Sequence, residues 1–231
     1  MAIITIDRNK VTLSNTKKKG IIFGATDEVG AHIAYEISKK GGDIILQGNT
    51  KSDLELLRKK LENIKNNQTF LYCDHSKIEN FNNIDKVIAN KFDKLDFVIS
   101  CLGQINSLKP LADPQLKEWN TIISQNLTIN WYILKKTEVL LGKSQKPNIF
   151  FFSNNEICDG FPYFHAYSVS HGAIKTMINI YKKEKKKFNY NIKLIDIKKN
   201  NISYLSHIVS NGKNSEFKIK VNELVREIFS S

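Results

Sequence analysis

The stretch of sequence that decides the fold is residues 20–30, Gly-Ile-Ile-Phe-Gly-Ala-Thr-Asp-Glu-Val-Gly. Its first four residues form a short apolar run, which is typical of a strand buried on both faces of a sheet. A turn follows, with Gly24 and Gly30 at its two ends, and residues 29–40 then show apolar side chains at helical spacing. Glycines allow a tight turn between strand and helix, and the amides at a helix N-terminus can hold a phosphate. The stretch predicts a strand, a turn able to bind phosphate, and a helix.

Apolar runs and helical patterns alternate along the rest of the chain. Further strands are predicted at residues 44–46, 70–72, 97–99, 149–152 and 192–197. Further helices are predicted at residues 52–61, 77–91, 115–142, 163–187 and 221–229. Because crossover connections are right-handed, this alternation favours a parallel sheet with helices on both faces. The predicted fold class is α/β, a Rossmann-type doubly wound parallel sheet of about six strands, with a ligand crevice at the carboxyl ends of the strands.

The chain is predicted to hold one domain preceded by an extension. Residues 1–19 form the N-terminal extension, in which two short apolar runs around residues 7–10 weakly indicate a β-hairpin. Residues 20–231 are predicted as a single domain, because this length is ordinary for one α/β domain and no linker or internal repeat divides it.

The formal net charge is +12, which allows two interpretations. A basic patch can bind nucleic acid or an anionic membrane surface. Alternatively, the charge reflects scattered lysines that keep the surface soluble. We favour the second interpretation, because the densest run, residues 182–187, ends a predicted helix, where cations complement the helix dipole. Because the lysines are scattered and no arginine-rich arm accompanies them, nucleic acid is not expected as a partner. No apolar run approaches the roughly 20 residues of a spanning helix, so a membrane is not expected either.

The three cysteines, Cys73, Cys101 and Cys158, are far apart and odd in number. This pattern is typical of small buried thiols in a reducing compartment. No signal-peptide pattern opens the chain, and no cluster with zinc-ligand spacing is present in the sequence. A cytoplasmic location and no metal site are therefore expected.

Two candidate catalytic side chains lie near the start of the predicted helix 163–187. Tyr167 and His171 are four positions apart, so they project from one helical face. A tyrosine beside a cofactor can act as a general acid that gives its phenol proton to a carbonyl oxygen. Simple packing of an aromatic ring at a helix start is the alternative for Tyr167, and the sequence leaves both open.

From about residue 20 to residue 200, the order of these elements resembles the short-chain dehydrogenase/reductase family. The glycine-rich turn of that family, Thr-Gly-x-x-x-Gly-x-Gly, matches residues 23–30, and its Asn-Asn-Ala-Gly turn matches residues 100–103. The resemblance implies a bound nicotinamide dinucleotide. The cofactor-binding residues taken from the resemblance and from the end of the second strand are Gly24, Thr26, Val29, Gly30, Asn49, Lys51, Asp74, Gly103 and His171.

The end of the second predicted strand bears on which dinucleotide is bound. An acidic residue there would bind the adenosine ribose of NAD, but residues 47–51 read Gln-Gly-Asn-Thr-Lys and the first carboxylate is Asp53. Thr50 and Lys51 are placed to contact a 2′-phosphate. NADP is therefore expected over NAD, although Lys51 also fits a solvated residue before a helix.

The resemblance also implies four catalytic positions. The catalytic serine of the family precedes the tyrosine by thirteen positions, which here is Asn154, and the lysine four positions after the tyrosine is His171. The asparagine of the long helix corresponds to Asn126. The implied roles are acid/base for Tyr167, a hold on the substrate oxygen for Asn154, support of the proton path for Asn126, and ribose binding for His171.

Three positions depart from the family pattern. Glu28 replaces the middle glycine, and a carboxylate facing a diphosphate is repulsive by about 1–4 kcal/mol, depending on the local dielectric. The amide of Asn154 cannot relay a proton as a hydroxyl does, and a mostly neutral His171 helps Tyr167 less than a lysine would.

Two functions follow from these residues. The first is a reductase that moves hydride between NADP(H) and a small-molecule carbonyl or alcohol. The alternative is a catalytically impaired relative that serves as a binding or partner subunit. In the family that the chain resembles, a seventh strand often builds one of two tetramer interfaces, and no such strand pattern follows residues 192–197. The resemblance therefore implies a homodimer through the helices at 115–142 and 163–187. The aromatic residues at 161, 163 and 164 indicate either an apolar pocket or core.

Overall fold

Uninterrupted apolar sequence forms the strands at the centre of the molecule. The computed structural model describes residues 5–6, 17–105, 107–196 and 215–230. The strands are β1 (Thr5–Ile6), β2 (Lys19–Phe23), β3 (Asp43–Gly48), β4 (Gln68–Tyr72), β5 (Phe97–Ser100), β6 (Asn148–Ser153) and β7 (Asn191–Asp196). The α-helices are α1 (Glu28–Lys39), α2 (Lys51–Lys60), α3 (Ile84–Lys91), α4 (Leu116–Ile123), α5 (Ile129–Leu141), α6 (Asn155–Cys158), α7 (His165–Glu184) and α8 (Ser215–Phe229).

The strands form one sheet in the order β1-β4-β3-β2-β5-β6-β7. Strands β2 to β7 run parallel to one another, which confirms the predicted Rossmann-type sheet of six parallel strands. Strand β2 pairs with β3 on one side and β5 on the other, so the direction of winding reverses there. Ligands bind at such a switch point, outside the carboxyl ends of the strands.

Two apolar clusters cover the two faces of the sheet, as the alternation of side chains along a strand requires. Ile21 and Phe23 belong to one cluster, which includes residues of α3, α5 and α7. Ile22 belongs to the other cluster, which includes residues of α1, α2 and α8. Because both faces are covered, β2 is buried and its carboxyl end is held rigidly.

The N-terminal strand was not part of the six predicted strands. Thr5 and Ile6 pair antiparallel with Leu71 and Phe70 at the edge of the sheet. The remainder of the predicted hairpin lies outside the described residues. So does the stretch after β7, in which the sequence predicts no further strand.

Two helical predictions are corrected in detail. The helix predicted at residues 77–91 is a 3₁₀ turn (Ile78–Phe81) followed by α3, because Asn82 is held by contacts to α5: its carbonyl accepts from Lys136 and its side chain from Tyr132. The helix predicted at 163–187 begins only at His165, after a turn in which Tyr163 adopts φ 69.

The long helix predicted at residues 115–142 is continuous but not uniform. A π-helical segment, Ser124–Thr128, separates α4 from α5. Segments of this kind occur frequently at functional sites. None of the helices within the described ranges has both the length and the apolar composition needed to cross a membrane.

Candidate active site at the carboxyl edge of the sheet

The turn after β2 approaches the turn after β5 so closely that there is little space for a side chain between them. Gly24 has φ +70, and a Cβ at this position would lie 3.2 Å from the carbonyl carbon and oxygen of Cys101. A Cβ at Gly30 would lie 2.1 Å from the Gly24 carbonyl oxygen. Gly30 is therefore required for α1 to start directly over the turn, and both glycines serve the close backbone packing of this strand–turn–helix unit.

Gln47 holds this turn in place. In the sequence it stood out only because residues 47–51 lack the carboxylate expected of an NAD site. Its Oε1 accepts from the Gly24 N–H at 2.9 Å, and its Nε2 donates to the Cys73 carbonyl at 2.6 Å. Its main-chain carbonyl accepts from the Ala25 N–H at 2.8 Å. This fully buried amide thus ties the ends of three strands together.

The predicted adenosine-binding residues gather at the ends of β3 and β4. Asn49 accepts from the His75 N–H at 2.9 Å, and Asp74 accepts from the Ser76 N–H at 2.9 Å. The Lys51 ammonium lies 5.8 Å from the centre of the Tyr72 ring. The structure brings these three side chains to one edge, where Asn49 joins the loops after β3 and β4, Asp74 bonds within its own loop, and Lys51 lies over the Tyr72 ring.

Thr26 and Val29 differ in what they can offer a ligand. Thr26 is partly buried in the turn, whereas Val29 is 5% exposed and packs into the core between α1 and the sheet. The side chain of Val29 is therefore committed to packing, and only its backbone is placed at the turn.

Tyr167 and His171 lie together at the start of α7. Their ring centroids are 4.3 Å apart, and each residue is 4% exposed. Burial, and then the neighbouring thiol of Cys158, raise the pKa of the Tyr167 phenol. Burial lowers the pKa of His171 to about 4. Both side chains are therefore neutral at neutral pH.

The imidazole of His171 has one engaged and one open nitrogen. Its Nδ1 lies 2.6 Å from the Ser153 hydroxyl oxygen. Its Nε2 is buried and has no hydrogen-bond partner in the part of the chain that the structure describes. A Cβ at Gly103 would lie 3.6 Å from Nε2, so this nitrogen faces the turn after β5.

Asn126 lies in the π-helical segment and joins it by hydrogen bonds to the turn after β5. Its Oδ1 accepts from the Gln104 N–H at 2.8 Å, and its Nδ2 donates to the carbonyls of Gln104 and Ile122 at 2.9 and 2.8 Å. Both amide hydrogens are thus used on main-chain carbonyls. The side chain of Asn126 positions the Gly103 turn and has no hydrogen left to pass on.

Asn130, one helical turn after Asn126, adds further hydrogen bonds between this helix and the end of β5. It was not identified from the sequence. Its Nδ2 donates to the Asn126 carbonyl at 2.6 Å, and its Oδ1 accepts from the Ser100 hydroxyl at 2.5 Å. The spacing of Asn126 and Asn130 on one helical face was the available signal.

Asn154, at the position of the family's serine, starts the short helix α6. Its Oδ1 accepts from the Ile157 N–H at 3.3 Å, which is an ordinary N-terminal cap. The residue is 8% exposed and directly follows Ser153, which contacts His171. The cap fixes the orientation of the amide at the edge of the crevice.

The residues present fit a dinucleotide in most respects. The Gly24 turn leads directly into the N-terminus of α1, a suitable seat for phosphate, and the open Nε2 of His171 is suited to a ribose hydroxyl. Glu28 is exposed at this helix start, so its carboxylate extends into solvent rather than filling the turn. Burial, and then the nearby charge of Asp53, raise the pKa of the neighbouring Asp27 carboxyl to about 6. The negative charge of Glu28 weakens phosphate binding at this helix start without filling the turn.

Comparison with known proteins agrees with this geometry. A sequence model of the family described as short chain dehydrogenase matches residues 18–201. The chain belongs to the short chain dehydrogenase family. As a member of this family of oxidoreductases, it departs from the common pattern at Glu28, Asn154 and His171.

Curated relatives of this short chain dehydrogenase match it over part of their length. An uncharacterized oxidoreductase of Staphylococcus epidermidis is 25% identical over 133 residues, which are 58% of this chain and 56% of the relative. The very-long-chain 3-oxoacyl-CoA reductase of Candida albicans is 32% identical over 113 residues, 48% of this chain and 32% of that protein. The chain thus spans little more than half of the first relative and about a third of the second.

Solved structures of the family share the fold. A short chain dehydrogenase from Salmonella enterica superposes with a TM-score of 0.74 at 19% identity, over 79% of this chain and 76% of that one. A short chain dehydrogenase from Shigella flexneri, complexed with NADP, gives a TM-score of 0.73 at 20% identity, over 78% of this chain and 77% of that one. At this identity the likeness establishes the fold of this short chain dehydrogenase.

Proposed function

We propose that the chain is an NADP(H)-dependent reductase that interconverts a carbonyl and an alcohol in a small molecule. The observation that carries the proposal is the pairing of Tyr167 and His171, whose rings lie 4.3 Å apart beside the turn containing Gly103. A phenol and an open imidazole nitrogen are thereby presented at the switch point of the sheet, where nucleotides bind in this fold.

The proposed roles follow from the state of each side chain. A nicotinamide cofactor supplies or accepts the hydride when bound. Tyr167 donates its phenol proton to the carbonyl oxygen, and its raised pKa keeps that proton in place at neutral pH, which favours the reductive direction. Asn154 holds the substrate oxygen, His171 binds a ribose hydroxyl through Nε2, and Asn126 keeps the turn after β5 in position.

NADP is proposed over NAD for two reasons. No carboxylate occurs between the end of β3 and Asp53, whereas NAD-binding sites of this fold use an acidic residue there. In addition, the neighbouring structures from Shigella flexneri and Escherichia coli hold NADP and NADPH. Lys51, exposed at the start of α2, is the cation proposed to face the 2′-phosphate.

The proposed substrate carries an apolar part near its carbonyl. Tyr163 is 62% exposed, and the Lys109 N–H donates to its carbonyl at 2.8 Å, which brings the exposed residues Leu108 and Leu111 to the same side. Phe164, in contrast, is 4% exposed and packs against Tyr167 as core. Exposed apolar side chains beside a polar site are typical of a substrate entrance.

A homodimer through α5 and α7 is also proposed. Trp131 and Val139 on α5, and Val169 and Ile180 on α7, are all more than two-fifths exposed. Glu138 accepts from both Tyr181 and Lys185, which joins these two helices into one surface. We further propose a cytoplasmic location, because all three cysteines are free thiols; recovery of the native protein from a secreted fraction would contradict it.

The function is tested by NADPH and NADH oxidation against a broad panel of aldehydes and ketones. The wild type is expected to oxidise NADPH faster than NADH with at least one compound. Tyr167→Phe is expected to lower kcat at least about 100-fold, the usual contribution of a general acid, while the Kd for NADPH stays within about twofold.

Tyr181→Phe is the matched control, because it removes another buried hydroxyl of α7 at a distance from the crevice. It is expected to keep kcat. Equal activity of Tyr167→Phe and wild type would contradict the proposed role of the phenol. NADPH binding without turnover of any compound would contradict the reductase and favour the binding or partner subunit.

A further inference from the structure

The hydroxyl of Ser153 connects the end of β6 to the helix that carries the site. Ser153 is the last residue of β6 and is 7% exposed. Its Oγ lies 2.6 Å from Nδ1 of His171 and 3.1 Å from Sγ of Cys158. The Cys158 thiol donates to the His171 main-chain carbonyl at 3.4 Å. Ser153, Cys158 and His171 therefore form one hydrogen-bonded group.

The positions of these hydrogens follow from the strengths of the donors and acceptors. The thiol of Cys158 stays protonated, because burial raises its pKa even though the hydrogen bond with Ser153 opposes this, and its hydrogen is used on the His171 carbonyl. The Ser153 hydroxyl then has either Nδ1 or Sγ as its acceptor. An imidazole nitrogen accepts far better than a thiol sulfur, so the hydroxyl donates to Nδ1.

The direction of this hydrogen bond decides which tautomer the imidazole of His171 adopts. A neutral imidazole whose Nδ1 accepts must carry its hydrogen on Nε2, which is the buried nitrogen that faces the Gly103 turn.

We propose that Ser153 is a positioning residue that holds His171 in the Nε2–H tautomer, so that the imidazole donates one hydrogen bond to a ligand hydroxyl oxygen at the turn after β5. The inference rests on the proposed function for the identity of that ligand as a cofactor ribose. The hydrogen-bond direction itself belongs to the protein alone. The opposite tautomer would present a bare nitrogen, which can only accept.

The site offers no other partner for that hydrogen. Asn126 Oδ1 lies closest to the same point, 3.4 Å from the position of a Cβ on Gly103, but it already accepts from the Gln104 N–H. Within the described ranges, Nε2 of His171 has no hydrogen-bond partner. A ligand hydroxyl would therefore satisfy a buried donor that the protein leaves open.

The tautomer is measured by NMR on the full chain labelled with ¹⁵N in its histidine rings, without cofactor. His171→Gln identifies the His171 signals among those of the five histidines. The wild type is expected to show a protonated Nε2 and an unprotonated, hydrogen-bonded Nδ1. Ser153→Ala is expected to move Nδ1 to the shift of an unbonded nitrogen and to weaken NADPH binding about fivefold or more.

Ser153→Thr, which keeps the hydroxyl, should restore both readouts and also guards against misfolding of the alanine variant. Ser170→Ala is the matched control, because that buried hydroxyl bonds to the Ala166 carbonyl of its own helix and should change neither readout. A proton on Nδ1 in the wild type, or an unchanged Nδ1 shift in Ser153→Ala, overturns the proposal. If the shifts are as expected but NADPH does not bind, the positioning role stands and the proposed function fails.

Discussion

At the scale of single residues, the replacement of a lysine by His171 changes the electrostatics of the site. A lysine would place a positive charge beside Tyr167, but the imidazole is buried and its pKa falls to about 4. Burial therefore raises the pKa of the phenol, and the neutral His171 supplies no positive charge to lower it. The pair is suited to donating a proton and a hydrogen bond, and poorly suited to holding a phenolate.

Glu28 offers the most direct test of phosphate binding at the N-terminus of α1. Glu28→Gln removes the charge at the first residue of α1 and keeps the size of the side chain. It is expected to tighten NADPH binding about two- to fivefold, because an exposed like charge costs up to about 1 kcal/mol in water. The measurement is the Kd from fluorescence titration at low and high salt, and the gain should shrink as salt rises.

Glu36→Gln is the matched control for this substitution. Glu36 lies on the same helix but two turns further from the phosphate seat, beyond about one Debye length at physiological salt. Its Kd for NADPH should stay within about twofold of the wild type. An equal gain in both variants would mean that net charge, rather than the position of Glu28, governs binding.

At the scale of elements, the strand–turn–helix unit depends on backbone contact between α1 and the turn. Gly30→Ala would place a Cβ 2.1 Å from the Gly24 carbonyl oxygen, and the obstacle is backbone that cannot rotate away. We expect the variant to lose about 1–3 kcal/mol of unfolding free energy, as overpacked sites do. Urea unfolding measures the loss, and NADPH binding should weaken with it.

Gly142→Ala is the control for the Gly30 variant. Gly142 has φ −62, and a Cβ there would lie 3.4 Å from the nearest atom, the Glu138 carbonyl oxygen. Its unfolding free energy should be unchanged or higher by a few tenths of a kcal/mol, because alanine restricts the unfolded chain more than glycine. Similar losses in both variants would contradict the packing argument.

At the scale of the whole molecule, the buried imidazole makes stability depend on pH. The unfolded chain binds a proton at His171 below about pH 6.5, whereas the folded chain does so only near the lowered pKa of about 4. The unfolded state therefore binds more protons between these values, and stability falls as pH falls through this window. The expected contribution of His171 is a loss of up to about 3 kcal/mol.

The measurement is urea unfolding of the wild type and His171→Gln at several pH values between about 7 and about 4. The wild type should lose more stability than the variant as the solution is acidified, because glutamine does not titrate. Parallel curves for the two proteins would show that His171 is not buried in its neutral form.

The assembly is the second property at this scale. Val139→Glu on α5 and Ile180→Glu on α7 should each shift the protein from dimer to monomer in sedimentation velocity, because each places a charge in the proposed apolar interface. Leu56→Glu on α2 is the control, since Leu56 is also more than half exposed but lies elsewhere. A wild type that sediments as a monomer at every concentration would contradict the proposed dimer.

The sequence predicted most strands and helices, because their apolar patterns involve residues that are close together in the chain. The apolar run at residues 20–23 and the helical spacing after it read directly as strand and helix, and the structure has β2 and α1 there. The break before α3 could not be predicted in the same way, because it depends on Asn82 meeting side chains of α5 some fifty positions along the chain.

By itself, the sequence determined the parallel sheet, the glycine turn and the placing of Tyr167 and His171 on one helical face, because neighbours in the chain set strand and helix periodicity. Only the tertiary structure decided what that imidazole does. Ser153 lies eighteen positions away on another element, and its hydroxyl reaches Nδ1 because β6 docks beside the start of α7. Hydrogen-bond partners across elements depend on packing distances of tenths of an ångström, which no local pattern encodes.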